Sequence, residues 1–303
     1  MPAIKDRLLI YYIQANKFSR GTLEIIRVSI KSFTLLRGAE AAASLSYYAL
    51  FSLFPLILIL ISALSFLLKT NEAVEAVVEF VLQIMPGAHS LIERNLQVIL
   101  NQRAAFGAVG IIAALWSASG FFNTLVRNIN FAWQNVRPWD VIRTRLLALA
   151  MIGILIILLV LSLASSAIIN IIRLSDPVIY DSIQLEDTLL WPYVRLLVPA
   201  LFSFLLFLST YRWIPNTRPP WQACISGAIW TSVAWEMAKY GFGVYLASGL
   251  AQYELLYGSL GTVLALLFYI YISSVIVLLG AHLTSTIDRR QKLRKNKDLE
   301  GDA

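Results

Sequence analysis

The chain has 303 residues, of which 58% are apolar and only 14% are charged. Soluble domains carry about 45–50% apolar and about 25% charged residues, so the composition excludes an ordinary globular protein. One cysteine and two histidines exclude a disulfide framework and a zinc cluster of cysteines and histidines within one chain. The net charge of +7 suits either an anionic partner or basic loops at a membrane surface.

The first segment, residues 1–37, is basic and amphipathic. Leu23, Ile26, Ile30 and Phe33 share one helical face. The opposite face carries Arg20, Glu24, Arg27 and Lys31. This pattern predicts an N-terminal interfacial helix that lies along the inner leaflet, attracted to anionic lipid. An early apolar region with a small-residue cleavage site is missing from this segment, so no cleavable signal peptide is predicted.

Six later segments are apolar and long enough to cross about 30 Å of hydrocarbon at 1.5 Å per residue. The predicted spans are 41–68, 104–126, 146–172, 196–211, 223–247 and 260–287. Together they predict an all-α, polytopic membrane helix bundle over residues 38–287. Residues 288–303 form a basic tail.

The connection between the first two spans has helical periodicity of its own. Glu72, Glu75 and Glu79 line one helical face. The other face is formed by Val74, Val77, Val78, Val81 and Leu82. Pro86-Gly87 ends this helix, and a second amphipathic stretch runs to about Arg103. The pattern predicts an extracytoplasmic helical hairpin that packs on the outer end of the bundle.

The basic residues are distributed unevenly between the two sides of the predicted bundle. The side that holds both termini carries 19 Lys and Arg, whereas the opposite side carries five, together with nine acids. The positive-inside rule therefore places both termini in the cytoplasm, as an even number of spans requires. The predicted location is the plasma membrane, which is the inner membrane in a Gram-negative bacterium.

The fifth span contains two charged residues, Glu236 and Lys239. A spacing of three places them on one face of a helix, with the acid nearer the N-terminus, which is the better order for a pair. Charges at the bilayer centre cost at least about 2.5–3.5 kcal/mol each on insertion scales. Two interpretations have equal weight: a site that binds a polar or anionic group, and a structural ion pair that fixes helix rotation.

Other polar features within the predicted spans extend this candidate intramembrane site. Pro55 interrupts the first span, and Tyr48 and Ser52 lie in its more polar half. Kinked helices recur at transporter substrate sites and hinges, although passive bundles contain them too. His282, near the end of the sixth span, is a candidate titrating group, but a hydrogen-bonded helix residue is the commoner role.

The sequence offers no convincing catalytic constellation, and no cofactor or metal is predicted. The basic tail is better explained by orientation and by contact with anionic lipid headgroups than by nucleic acid. Membrane lipids are the predicted partners, while a homo-oligomer and an unidentified envelope partner stay open.

Several motifs read together resemble the YihY/BrkB family of membrane proteins. They are Leu45-Ser46-Tyr47-Tyr48, Ser52-Leu53-Phe54-Pro55, Trp116-Ser117-Ala118-Ser119-Gly120, Asn123–Asn130, Trp235-Glu236 with Lys239 and Tyr245, Leu256-Tyr257-Gly258-Ser259-Leu260, and Leu279-Gly280-Ala281. The resemblance covers roughly residues 35–287 and implies a six-span bundle with cytoplasmic termini. The family commonly has a glutamate after Leu-Gly-Ala, where this chain has His282.

Three functions follow from this reading, in order of preference. The first is a transporter or translocator of an amphipathic or anionic substrate, with lipid as one such class. The second is a non-transporting envelope or virulence-associated factor that organises partners. The third is a membrane-bound enzyme such as a nuclease: some members of the family once carried a ribonuclease label. The predicted cytoplasmic loops contain too few acids to hold catalytic metals, so the chain is predicted not to be an enzyme.

Overall fold

The structure is a computed structural model that describes residues 22–64, 70–84, 108–133, 136, 139–175, 191–248 and 259–301. All regular secondary structure within these ranges is helical, as the composition predicts. The helices are α1 (Thr22–Leu35), α2 (Gly38–Leu64), α3 (Thr70–Ile84), α4 (Ala108–Ala132), α5 (Val141–Ser175), α6 (Trp191–Trp213), α7 (Trp221–Ala247) and α8 (Ser259–Gly301).

Each of the six predicted spans falls largely on one of these helices, namely α2 and α4 to α8. The largest difference in bounds concerns α8, which has 43 residues and continues through the basic tail to Gly301. Such a helix is about 64 Å long, roughly twice the thickness of a hydrocarbon core. The end of the bundle where α8 carries its basic residues is called the basic end below.

Among the described residues, two helices contain stretches that are long and apolar enough to cross a membrane, Val141–Leu158 in α5 and Val263–Asn296 in α8. The helix α2 adds a third if its two bent parts form one span. Polar residues lower the apolar content of the others, and many of these face inward: Thr210, Thr231 and Ser232 are buried.

The helix α2 bends at the predicted proline. The segments Gly38–Leu53 and Pro55–Ile61 meet at 51°. A proline ring has no N–H to donate and clashes with the carbonyl one turn earlier, which explains a bend at this position.

The helices α1 and α2 meet at a sharp corner. Arg37 has a φ of 53°, in the left-handed region, and Gly38 follows it directly. A Cβ atom on Gly38 would collide with the ring of Phe33, so the corner closes only with glycine there.

The helix α1 packs on α8 and α2 through a narrower face than its apolar stripe suggests. Ser29 is buried, and its Oγ donates to Thr286 Oγ1 at 3.1 Å, while Phe33 lies against the His282 ring. Leu23 and Ile30, from the predicted apolar face, are exposed. Hydroxyl groups thus join α1 to α8, and part of the apolar surface of α1 points outward.

The helix α3 has the amphipathic arrangement that its sequence predicts. Its three glutamates are exposed, whereas Val74, Val77 and Val81 are buried against α2 and α5. The second arm of the predicted hairpin, up to Arg103, lies outside the described residues.

The buried apolar side chains form two clusters. One surrounds Phe207, Tyr211 and Ile129 towards the basic end, and the other surrounds Ile57 and Tyr269 and includes the buried face of α3. Leu56 packs against both clusters. Trp235, next to the candidate Glu236 in the chain, packs against the first of these clusters.

Small residues allow α7 and α8 to approach closely. A Cβ atom on Gly227 of α7 would collide with Thr284 of α8, and one on Gly280 of α8 would collide with Thr231 of α7. The two helices therefore carry the same Gly-x-x-x-Thr spacing and pack it reciprocally. Within membranes, close van der Waals contact of this kind replaces the hydrophobic effect as the main source of helix association.

We expect Gly227→Ala to destabilise the protein by about 1–3 kcal/mol, the usual range for overpacking. The new methyl group has to displace the Thr284 side chain and its Cβ atom. Gly241, also on α7, has nothing within 4 Å of the equivalent position, so Gly241→Ala is the matched control and is expected to be neutral or slightly stabilising. Thermal unfolding in detergent measures both, and equal melting temperatures would contradict the close α7–α8 contact.

Candidate functional site

Glu236 and Lys239 form an ion pair on α7. Lys239 Nζ lies 2.8 Å from Glu236 Oε2, and the side chains are 12% exposed for Lys239 and 22% for Glu236. One turn of helix brings the two side chains together, as their spacing predicts. A charge-assisted contact of this length is strong in a low-dielectric environment, where a lone charge would be costly.

A serine from α6 binds the other oxygen of the same carboxylate. Ser203 Oγ donates to Glu236 Oε1 at 2.7 Å. Both carboxylate oxygens therefore have a partner, one on the same helix and one on the neighbouring helix. Ser203 was not among the predicted site residues, because a serine within an apolar run gives no signal until the packing of α6 on α7 is known.

An apolar cavity of about 190 Å³ lies beside this pair, at the centre of the bundle. All the helices except α1 line it, and members of both core clusters, such as Phe207 and Ile57, form its walls. Its polar side chains are Ser52, Thr210, Trp235, Tyr269, Ser273 and Ser274. A cavity of about 150 Å³ is large enough to bind benzene, so this one can hold a small apolar group.

A second, smaller cavity of about 40 Å³ lies next to the central one. Lys239 and Ser203 line it, together with Pro199. Five residues line both cavities: Phe80, Leu155, Leu206, Phe207 and Trp235. Lys239 of the ion pair therefore faces a small cavity that shares its walls with the larger apolar cavity.

Trp235, next to Glu236 in the sequence, is one of the five residues that line both cavities. Its ring centroid lies 5.4 Å from Phe207 and 6.4 Å from Tyr269. Edge-to-face arrangements at such distances are favourable for aromatic pairs. These contacts stabilise the position of the Trp235 ring between the two cavities.

The three candidate residues of the first span, Tyr48, Ser52 and Pro55, do not all face the central cavity. Ser52 is buried and lines the central cavity, and its hydroxyl donates to the Ala49 carbonyl. Pro55 bends the helix one turn further on. Tyr48 is 42% exposed and lies beside Gly120 of α4, away from the cavity lining.

His282 lies in a different part of the molecule. Its Nδ1 is 3.0 Å from Ser32 Oγ of α1, and its ring contacts Phe33 edge-on. Tyr269, at the level of Trp235, precedes it by 13 residues on α8, which is about 20 Å along the helix. The structure thus brings Glu236, Lys239 and Ser52 to one region and places His282 at the junction of α1 and α8.

A second polar cluster, which the sequence did not reveal, lies at the basic end. Asp288 is completely buried, and its Oδ2 accepts hydrogen bonds from Trp133 Nε1 at 3.1 Å and from Lys292 Nζ at 2.9 Å. Ser285 on the same helix donates to the Ala132 carbonyl at 2.7 Å. These contacts attach α8 to the end of α4. Among the described residues no group of acids, histidines or cysteines is arranged to hold a metal ion.

Long apolar helices around a partly buried ion pair and an apolar cavity are typical of an α-helical membrane protein. The chain belongs to the virulence factor BrkB family, whose model matches residues 29–302. The resemblance to the YihY/BrkB family is thereby confirmed.

Three relatives illustrate this similarity. The chain is 29% identical to the ribonuclease-like protein YfkH of Bacillus subtilis, over 89% of this chain and 98% of that protein. It is 27% identical to a UPF0761 membrane protein of Azotobacter vinelandii, over 91% of this chain and 66% of the relative. A UPF0761 membrane protein of Pseudomonas aeruginosa is 29% identical over 90% of this chain and 66% of its own length. The chain thus spans about two thirds of these two UPF0761 proteins. No solved structure is a significant match.

We expect Ser203→Ala to destabilise the protein by about 1–2 kcal/mol, because it leaves one oxygen of a shielded carboxylate without its donor. Ser209→Ala is the matched control: Ser209 lies on the same helix and donates only within it, to the Leu206 carbonyl. Thermal unfolding in detergent tests the pair of variants. Equal stability of the two would show that the Ser203–Glu236 bond contributes little.

Proposed function

We propose that this protein is a translocator of an amphipathic, anionic substrate, with membrane lipids as the favoured class. One observation carries the proposal: Lys239, paired with Glu236, lines a small cavity that shares five wall residues with a larger apolar cavity within a helical bundle. The ion pair would match the anionic group of such a substrate, and the apolar cavity would match its apolar body. The ammonium of Lys239 would attract the anion, and the cavity would receive the apolar part.

The proposed setting is a six-span bundle with both termini in the cytoplasm of a plasma membrane, or of the inner membrane in a Gram-negative cell. The excess of basic residues on the side of the termini supports this orientation. Six helices of 23 residues or more support the count, since about 20 residues cross a bilayer.

A non-enzymatic role is part of the proposal. The UPF0761 relatives are named only as membrane proteins, and the ribonuclease-like name belongs to the Bacillus subtilis relative. The polar groups around the cavity are hydroxyls, an indole and one ion pair. They offer a surface for binding, and the carboxylate of Glu236 is engaged by Lys239 and Ser203.

The test is translocation of labelled lipids and solutes in liposomes that contain the purified protein. We expect Lys239→Met to abolish translocation, because it removes the cation that would attract the substrate. It also leaves Glu236 as a lone charge, so loss of activity alone could report misfolding. Removing one partner of a buried pair is strongly destabilising, whereas replacing both partners is often tolerated.

The double variant Glu236→Gln/Lys239→Met separates the two explanations. A substrate site predicts that this variant recovers the thermal stability lost by Lys239→Met and yet stays inactive. A purely structural pair predicts that stability and translocation return together. Wild-type protein that is folded and moves no lipid or solute would favour the alternative function, an envelope factor that organises partners.

The central cavity leads to a separate prediction. Ser52→Phe places a bulky ring in the space where the apolar part of the substrate would lie, so we expect translocation to fall at least tenfold. The neighbouring Phe51 is 62% exposed on the outer surface of α2, and Phe51→Trp serves as the matched control with unchanged activity. Full activity of folded Ser52→Phe in the liposome assay would exclude the cavity from the substrate path.

A further inference from the structure

A groove of about 410 Å³ lies between α1 and α8 at the basic end, beside their contact and far from the ion pair. Arg289, which lines it, follows Tyr269 by 20 residues on α8, or about 30 Å. The groove therefore has no part in the proposed substrate site. Its lining combines two chemistries: the basic side chains of Arg289 and Arg290 on α8, and apolar side chains from both helices, namely Ile25 and Val28 of α1 and Leu293 of α8.

We propose that this groove binds the headgroup of an acidic phospholipid from the adjacent leaflet. The guanidinium groups of Arg289 and Arg290 would face the phosphate, and the apolar side chains would contact the start of the acyl chains. Guanidinium groups are the preferred partners of phosphate because they present several donors in a planar fork. The hydroxyls of Ser32, Ser285 and Thr286 also line the groove.

The exposure of the apolar residues supports a lipid as the occupant. Val28 is 44% and Leu293 is 65% exposed, on helices that carry many charged residues. The predicted sixth span ends at residue 287, two residues before Arg289, so the groove is expected at the level where acyl chains meet headgroups. Apolar and basic side chains at that depth are typical of segments that lie in a membrane interface.

The charges around the groove sum to a strongly positive surface. On α1 they are Glu24, Arg27 and Lys31, and on α8 they are Asp288, Arg289, Arg290, Lys292, Arg294 and Lys295. Glu24 lines the groove and opposes an anion, whereas Asp288 is buried and bonded to Trp133 and Lys292. Arg289 also donates to the Ala132 carbonyl at 3.5 Å, which fixes its position without removing its charge.

Binding is measured by native mass spectrometry of the full chain, released from nanodiscs of phosphatidylcholine with or without phosphatidylglycerol. We expect retained phosphatidylglycerol on the wild type and about thirtyfold weaker retention on Arg289→Gln/Arg290→Gln. Each guanidinium that bonds the phosphate directly contributes about a factor of five, because charge-assisted hydrogen bonds add to the diffuse attraction of the basic tail.

The matched control is Arg294→Gln/Lys295→Gln, which removes the same charge from the same helix outside the groove. Its retention of phosphatidylglycerol is expected to change less than about threefold. Equal losses in the two double variants would overturn the proposal, because they would indicate diffuse attraction to the basic tail.

Two further measurements keep the test independent of folding defects. Val28→Trp fills the groove and leaves both arginines in place, so we expect it to weaken retention as well; unchanged retention would contradict the site. Inorganic phosphate is expected not to displace the bound phosphatidylglycerol. Displacement by phosphate alone would show a site for a free anion and would overturn the assignment to a lipid.

Discussion

The central interaction of the described bundle is the pair of contacts that the Glu236 carboxylate makes. This carboxylate is bonded by Lys239 from its own helix and by Ser203 from α6, so one acidic group links α7 to α6. In a membrane the cost of leaving such a charge unpaired is high, and this cost favours the one packing in which both partners are present. Trp235 then faces the cavity as a consequence, since it precedes Glu236 directly in the helix.

The contact between α7 and α8 depends on shape rather than charge. Reciprocal glycine–threonine contacts bring the two backbones together, and Tyr211 of α6 adds a hydrogen bond to the Val277 carbonyl at 2.8 Å and a contact with Thr231 at 3.0 Å. The three helices α6, α7 and α8 are thus joined through polar side chains that satisfy one another. Such contacts orient helices where burial of apolar surface gives no preference, because lipid is as apolar as the side chains.

The sequence was sufficient for features that depend on one helix alone. Periodicity predicted the faces of α3, the spacing of three predicted the pair of Glu236 and Lys239, and Pro55 predicted the bend of α2. Features that depend on two helices were beyond it. Ser203 reaches Glu236 only because of the register of α6 against α7, and Gly227 meets Thr284 only because of the rotation of α8. His282 illustrates the same limit: its neighbours Ser32 and Phe33 come from α1, some 250 residues earlier in the chain.

The described helices do not all pack against one another to the same extent, and the small cavity lies beside one of the less extensive contacts. The helix α7 packs extensively on both α6 and α8, whereas α5 meets α6 only briefly. The small cavity beside Lys239 lies along that weaker contact, between Leu155 and Leu158 of α5 and Pro199 and Ser203 of α6. Proline removes a backbone hydrogen bond from α6 at this level. Separating α5 from α6 would therefore disrupt fewer of the contacts among the described residues than separating α7 from either neighbour.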